Sequence, residues 1–266
     1  MGQMIAQLPS ENQTPRYPTP WRVAGELAWA AVARRQRAFV RDARRAVAAL
    51  RPPLEVLGGE HVPPSGPLLV ACNHYSRPGF QAWWLAFAIT AAIAERRARA
   101  DDEKIAWVMT AAWRFETSRW RHRLLTPMSR RVFVRVAHVY GFVTMPPMPP
   151  APEETHDRAV AVLQTLRLAR HLAHTGGILG LAPEGRDVPV GLADPPPGAG
   201  GFIALLVETG MTVLPVAVSE ANGRLRVCFG PAFVPAVPES RAERDRVVAA
   251  QVMAAIARLL PESQHL

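Results

Sequence analysis

Short apolar runs alternate with helix-length stretches along most of this chain, and that alternation limits its fold more than any other feature. The runs Leu54–Leu57, Pro67–Cys72, Ile105–Met109, His138–Val143, Gly177–Leu181, Thr212–Val218 and Leu225–Phe229 read as strands. Helical patterns lie between them at about 80–98, 117–131, 155–175, 199–209 and 239–260. A strand followed by a helix of that length and another strand implies a crossover connection. The expected fold is therefore α/β, a single domain with a mostly parallel central sheet flanked by helices. With 266 residues, 49% of them hydrophobic, the chain can bury such a core without a disulfide or a metal staple.

The expected α/β domain covers residues 52–260. Residues 1–18 are polar and Pro-rich and are expected to form a disordered tail. Residues 19–51 are expected to form one N-terminal basic amphipathic helix, with Pro20 in its first turn and Pro52 and Pro53 ending it. Its arginines, among them Arg34, Arg35, Arg41 and Arg44, interleave with Trp21, Trp29, Val32 and Phe39. That pattern suits an anionic membrane interface, and it equally suits a helix packed on the protein's own core. A second Arg-rich segment, 114–135, alternates with Trp113, Phe115, Trp120 and Leu124 and is the best candidate for a lipid-facing basic surface, a solvated face being the alternative.

Of the 31 basic residues only Lys104 is a lysine, which leaves 30 arginines, and the net charge is +9. Guanidinium groups pair well with phosphate, on nucleic acid, lipid headgroups or a nucleotide-bearing thioester. No helix-turn-helix, RRM or zinc-finger pattern accompanies the charge, so nucleic acid is not an expected partner. Cys72 and Cys228 stand alone, which excludes a disulfide framework and suits a reducing compartment. His171 and His174 share a helical face but lack a third ligand, so no metal is expected. The first 15 residues lack the pattern of a signal peptide, and Ala6 breaks the myristoylation pattern. The longest apolar stretch, Phe80–Ala94, falls short of the roughly 20 residues that span a bilayer. The expectation is a cytoplasmic protein associated peripherally with the inner face of the membrane.

Two segments carry candidate chemistry. In LLVACNHYSRPGF, 68–80, an apolar strand ends and Asn73-His74 follows in a turn before a helix. α/β sheets place reactive groups there, beyond the carboxyl end of a strand, and an imidazole can act as general base near neutral pH. A His that only bonds the turn backbone is the alternative. In ILGLAPEGRD, 178–187, a second buried strand ends in Pro183-Glu184-Gly185-Arg186.

Together these blocks resemble the phospholipid/glycerol acyltransferase family, whose members acylate glycerol-3-phosphate and lysophosphatidic acid. Its first block, Asn-His-x-Ser-x-x-Asp, is matched by Asn73, His74, Tyr75 and Ser76. Its Pro-Glu-Gly block is matched by Pro183, Glu184 and Gly185, and its proline-centred strand by Val213-Leu214-Pro215-Val216. The FGPAF run at 229–233 is similar to the family's next strand, so the resemblance covers 54 to about 235. It implies that His74 deprotonates a hydroxyl of a glycerol-phosphate or lysophospholipid-type acceptor, which then attacks an acyl-CoA or acyl-carrier-protein thioester. No other cofactor is implied, and Cys72 is not needed as a nucleophile.

The resemblance makes His74 and Glu184 the catalytic pair and assigns Asn73, Ser76, Gly185 and Arg186 to substrate binding. Arg77 joins them as a second phosphate ligand that no family position demands. His74 and Glu184 are expected to open onto a common cleft at one rim of the sheet. Three positions depart from the pattern. Gly79 stands where the family has Asp, the second block Gly141-Phe142-Val143-Thr144-Met145 lacks its arginine, and Arg186 follows Gly185 directly, which moves Asp187 forward. A carboxylate beside the imidazole fixes its tautomer and stabilises the imidazolium. Asp187 or Glu184 can supply it if the loops face each other; otherwise the acceptor phosphate must, aided by Tyr75 or Ser76. On this reading Gly79→Asp raises acyl transfer. The competing reading is a catalytically weak or inactive protein of the same fold that binds acyl lipid or phosphate.

Overall fold

The computed structural model describes residues 17–97, 104–113, 119–147 and 154–261. Seven strands form one sheet: β1 (Glu55–Leu57), β2 (Leu68–Cys72), β3 (Ile105–Thr110), β4 (Val143–Met145), β5 (Ile178–Leu181), β6 (Thr212–Ala221) and β7 (Arg224–Phe229), in the order β1-β7-β6-β2-β5-β3-β4. Every neighbouring pair is parallel except β6 and β7, which are antiparallel and joined through Asn222 and Gly223, both with positive φ. The helices are α1 (Trp21–Val32), α2 (Phe39–Ala48), α3 (Trp83–Ala94), α4 (Arg119–Tyr140), α5 (Thr155–Thr175), α6 (Ala199–Val207) and α7 (Arg241–Ala257). The chain is thus the expected single α/β domain with helices on both faces of a mostly parallel sheet.

Residue alternation divides the core. In β2, Leu68, Val70 and Cys72 pack toward α2 and α3, while Leu69 and Ala71 pack toward α6 and α7. In β6, Leu214, Val216 and Val218 take the first side and Val213 and Ala217 the second. Both faces are covered, which is why the strands read as unbroken apolar runs. The apolar helix α3 is a buried crossover helix: Trp84 and Phe87 are buried, and only Trp83 among its aromatics is exposed.

Two expectations about elements are corrected. Residues 19–51 form two helices, because Arg34 takes a left-handed conformation (φ 53°) and the chain turns there. Arg37 fixes the corner, bonding Glu26 of α1 at 2.6 Å and both carboxylate oxygens of buried Asp42 in α2 at 2.6 and 2.8 Å. The Tyr140 hydroxyl donates to the same Asp42 at 2.9 Å. The strand expected at His138–Val143 begins only at Val143, since α4 continues to Tyr140 and ends at Gly141 (φ 70°), after which the Phe142 N–H reaches back to Ala137 O at 2.8 Å. Of the expected N-terminal tail, residues 1–16 lie outside the described residues. Tyr17 is held, its ring edge-on to Phe80 with centroids 4.8 Å apart and its hydroxyl donating to Glu220.

The glycine-rich start of α6 is a packing device. A Cβ on Gly200 would stand 1.9 Å from the Asp245 carbonyl oxygen of α7, so only glycine permits this approach. Asp245 caps the same helix, accepting from Gly198 N at 2.8 Å and Gly201 N at 2.9 Å. Among the described residues no helix is long and apolar enough to cross a membrane.

Candidate active site

The parallel strands β2, β5 and β3 end at one rim of the sheet, and β6 runs alongside β2 to the same rim. At this rim β2 leaves the ladder. The last β2–β6 partners are Cys72 and Val216, and beyond them the Asn73 side chain takes over the pairing. Its Nδ2 donates to Val218 O at 2.9 Å and its Oδ1 accepts from Val218 N at 2.7 Å. A carboxamide matches a peptide's donor and acceptor, so it extends the sheet by one step while the main chain turns away. Asn73 is 1% exposed. Both its polar groups bond β6, so it clamps the turn to that strand.

The turn delivers His74 beside the segment that follows β5. Val188 N donates to His74 O at 2.9 Å and Ser76 N donates to Val188 O at 3.0 Å, a two-bond ladder that zips the segments together. Glu184 locks the same junction from inside. One carboxylate oxygen accepts from the His74 backbone N–H at 2.5 Å and the other from Ala193 N at 2.6 Å. Burial raises its carboxyl above the usual range, against the pull of these two amides. The two expected catalytic residues therefore meet at one rim, but they do not share an open cleft. His74 keeps about a quarter of its side chain exposed, whereas Glu184 is 1% exposed. Glu184 holds the backbone of His74 from inside the fold.

The carboxylate beside the imidazole belongs to Asp187. Its Oδ1 lies 2.9 Å from His74 Nδ1, an ion-pair contact without the alignment of a full hydrogen bond. The adjacent imidazole holds the Asp187 carboxyl below the ordinary range. The backbone bond between Val188 and His74 holds the two segments side by side, with Asp187 next in the chain. The Glu184-Gly185-Arg186 turn thus sets an acid against the ring of His74.

Gly79 is a turn residue. Arg77 O accepts from Phe80 N at 3.0 Å, with Pro78 and Gly79 in the central positions and Gly79 at φ 85°, the pattern that favours proline then glycine. Arg77, expected on a phosphate, donates through Nε to Glu220 Oε2 at 2.7 Å and lies over the Tyr17 ring. Tyr75 OH also approaches Glu220, at 3.3 Å, and burial raises its hydroxyl to about 12. Arg77 is thereby tied into a Tyr17–Tyr75–Glu220 cluster, a feature that the separation of Arg77 from Glu220 by 143 residues hides from sequence.

Ser76 is half-buried next to Val188, and Gly185 (φ 63°) and Arg186 lie exposed between Glu184 and Asp187. Cys72 is buried, and its thiol is pushed up to about 12 by burial, so it stays protonated at neutral pH. His171 and His174 are engaged separately, by Lys104 Nζ at 3.2 Å and by Arg170 O at 2.7 Å.

The site defines, at the level of chemistry, a partly exposed imidazole backed by a carboxylate at the carboxyl rim of an α/β sheet. No family model and no curated protein matches the chain. Among solved structures, the chain is similar to the crystal structure of the 1-acyl-sn-glycerophosphate (LPA) acyltransferase, PlsC, from Thermotoga maritima. The two are 16% identical over 90% of this chain and 86% of that one, with a TM-score of 0.48.

Proposed function

We propose that the protein transfers an acyl group from an acyl thioester to a hydroxyl of a glycerol-phosphate or lysophospholipid-type acceptor at a membrane face, with His74 as general base. The observation that carries this reading is the contact of His74 Nδ1 with Asp187 at 2.9 Å. It directs a carboxylate to one ring nitrogen and leaves Nε2 as the proton acceptor. The motif order supports the substrate class, since Asn73-His74-Tyr75-Ser76 and Pro183-Glu184-Gly185 resemble the acyltransferase blocks.

In the proposed step the acceptor hydroxyl gives its proton to Nε2 as its oxygen bonds the thioester carbonyl carbon. The imidazolium is stabilised by Asp187. When the carbon–sulfur bond breaks, the departing thiolate takes that proton, yielding an ester and a free thiol and restoring the neutral ring. Exposed Arg186 and the Gly185 backbone, one and two residues before Asp187, are the groups nearest in sequence for the acceptor phosphate. The test is transfer of a labelled acyl group from acyl-CoA to lysophosphatidic acid, run against a panel of other alcohols. His74→Ala is expected to abolish transfer while the protein melts as before, and transfer that survives this substitution would contradict the assignment.

A further inference from the structure

Helix α4 offers solvent a face of mixed character. Trp120 (59% exposed), Leu124 (65%), Met128 (56%) and Val132 (51%) recur at four-residue intervals, which aligns them in one ridge along the helix. Arg123, Arg131 and Arg135 are exposed beside and between them. The 22 residues of α4 include no Asp or Glu. Asp157 of α5 bonds Arg130 at 2.7 Å, and at the buried carboxyl end of the helix Tyr140 donates to Asp42. Trp113, half-exposed, stands just beyond the carboxyl end of β3. It packs edge-on against Phe133 of α4 with ring centroids 4.9 Å apart, and its backbone N–H donates to Ser129 Oγ at 3.0 Å. Since β2 and β3 both run parallel to β5, Trp113 emerges at the same rim of the sheet as His74.

A face that only meets water gains nothing from four large apolar side chains in a row. A bilayer interface accommodates both components, taking apolar groups into the acyl boundary and guanidinium groups at the phosphates. We infer that α4, together with Trp113, is the surface by which this protein docks on an anionic bilayer, bringing the His74 rim to the lipid. The inference deepens the membrane element of the proposed function but needs no catalysis, so it stands or falls separately from acyl transfer.

The experiment is flotation of the full chain with phosphatidylcholine vesicles, with and without phosphatidylglycerol. Wild type is expected to float with the anionic vesicles and to release as salt rises. Leu124→Glu combined with Met128→Glu is expected to weaken binding at least about 10-fold. Arg123→Gln, Arg131→Gln and Arg135→Gln together should weaken it on the order of 100-fold, about fivefold for each arginine near a charged surface. All five side chains are exposed, so both variants should melt like wild type, and His74→Ala should bind vesicles as wild type does. The inference is overturned if wild type ignores anionic vesicles, or if it binds neutral ones equally well. It is overturned too if neither variant differs from wild type, or if the face instead mediates a concentration-dependent dimer that the glutamate variants dissolve.

Discussion

An imidazole that must take up a proton works best with a carboxylate at its other nitrogen, and in the proposed reaction Asp187 takes that place. Asp187→Asn keeps the shape of the side chain and removes its charge, so kcat should fall by about 100-fold or more with little change in melting temperature. Asp187 is about two-thirds exposed, so the loss should stay below the roughly 10⁴ found when a buried triad carboxylate is neutralised. Gly79→Asp is not expected to raise acyl transfer. At φ 85° an L-residue is strained by roughly 1 kcal/mol or more, and the site already has its acid. Asn73→Asp replaces a donor with an acceptor opposite Val218 O and should cost about 1–3 kcal/mol by urea denaturation. Glu184→Gln leaves one of two backbone N–H groups without an acceptor, with a similar cost at neutral pH. Its pH signature has a definite sign. Burial raises the Glu184 carboxyl, so the folded protein keeps a proton that the unfolded chain has already released. Through the window from the ordinary Glu value up to the raised one, stability contributed at this position falls as pH rises. Thermal melts across mildly acidic pH should show that slope in wild type and not in the Gln variant.

Among the elements, two close approaches set stability. Gly200→Ala would drive a methyl group into the Asp245 backbone and should destabilise by about 2–3 kcal/mol, read as a lower urea midpoint with an unchanged slope. Removing the buried Asp42 charge with Asp42→Ala takes the acceptor from Tyr140 and leaves Arg37 paired with Glu26 alone, and should cost about 3 kcal/mol. These elements also show where sequence suffices. Strands such as Leu68–Cys72 and Ile178–Leu181 were legible because burial on both faces leaves an uninterrupted apolar signature. The boundary of α4 was not, because VFVRVAHVY suits a strand by residue type and a helix by its packing on Asp42 and Phe39. The split between α1 and α2 was hidden as well, since Arg34 carries no glycine or proline signal and the corner depends on Arg37 meeting residues on two helices. The site shows the same division. The positions of His74 and Glu184 could be read from the chain, but the burial of Glu184 and the engagement of Arg77 arise only from contacts across 110 and 143 residues.

For the molecule as a whole, the sheet gathers onto one rim what the chain spreads over more than 100 residues: His74 after β2, Trp113 after β3, and Glu184 and Asp187 after β5. A partly exposed base on the same rim as the aromatic end of a basic, apolar helix face suits the proposed transfer at a bilayer surface. Docking and chemistry should accordingly separate by mutation: the α4 variants should lower turnover on vesicle-borne acceptor far more than on acceptor dispersed in detergent. The most direct test of the central claim compares wild type, His74→Ala and Asp187→Asn for labelled acyl transfer from acyl-CoA to lysophosphatidic acid. The account predicts turnover by wild type, none by His74→Ala and a rate about 100-fold or more below wild type for Asp187→Asn. Undiminished turnover by Asp187→Asn, or no transfer by wild type to any glycerol-phosphate or lysophospholipid acceptor, would contradict it.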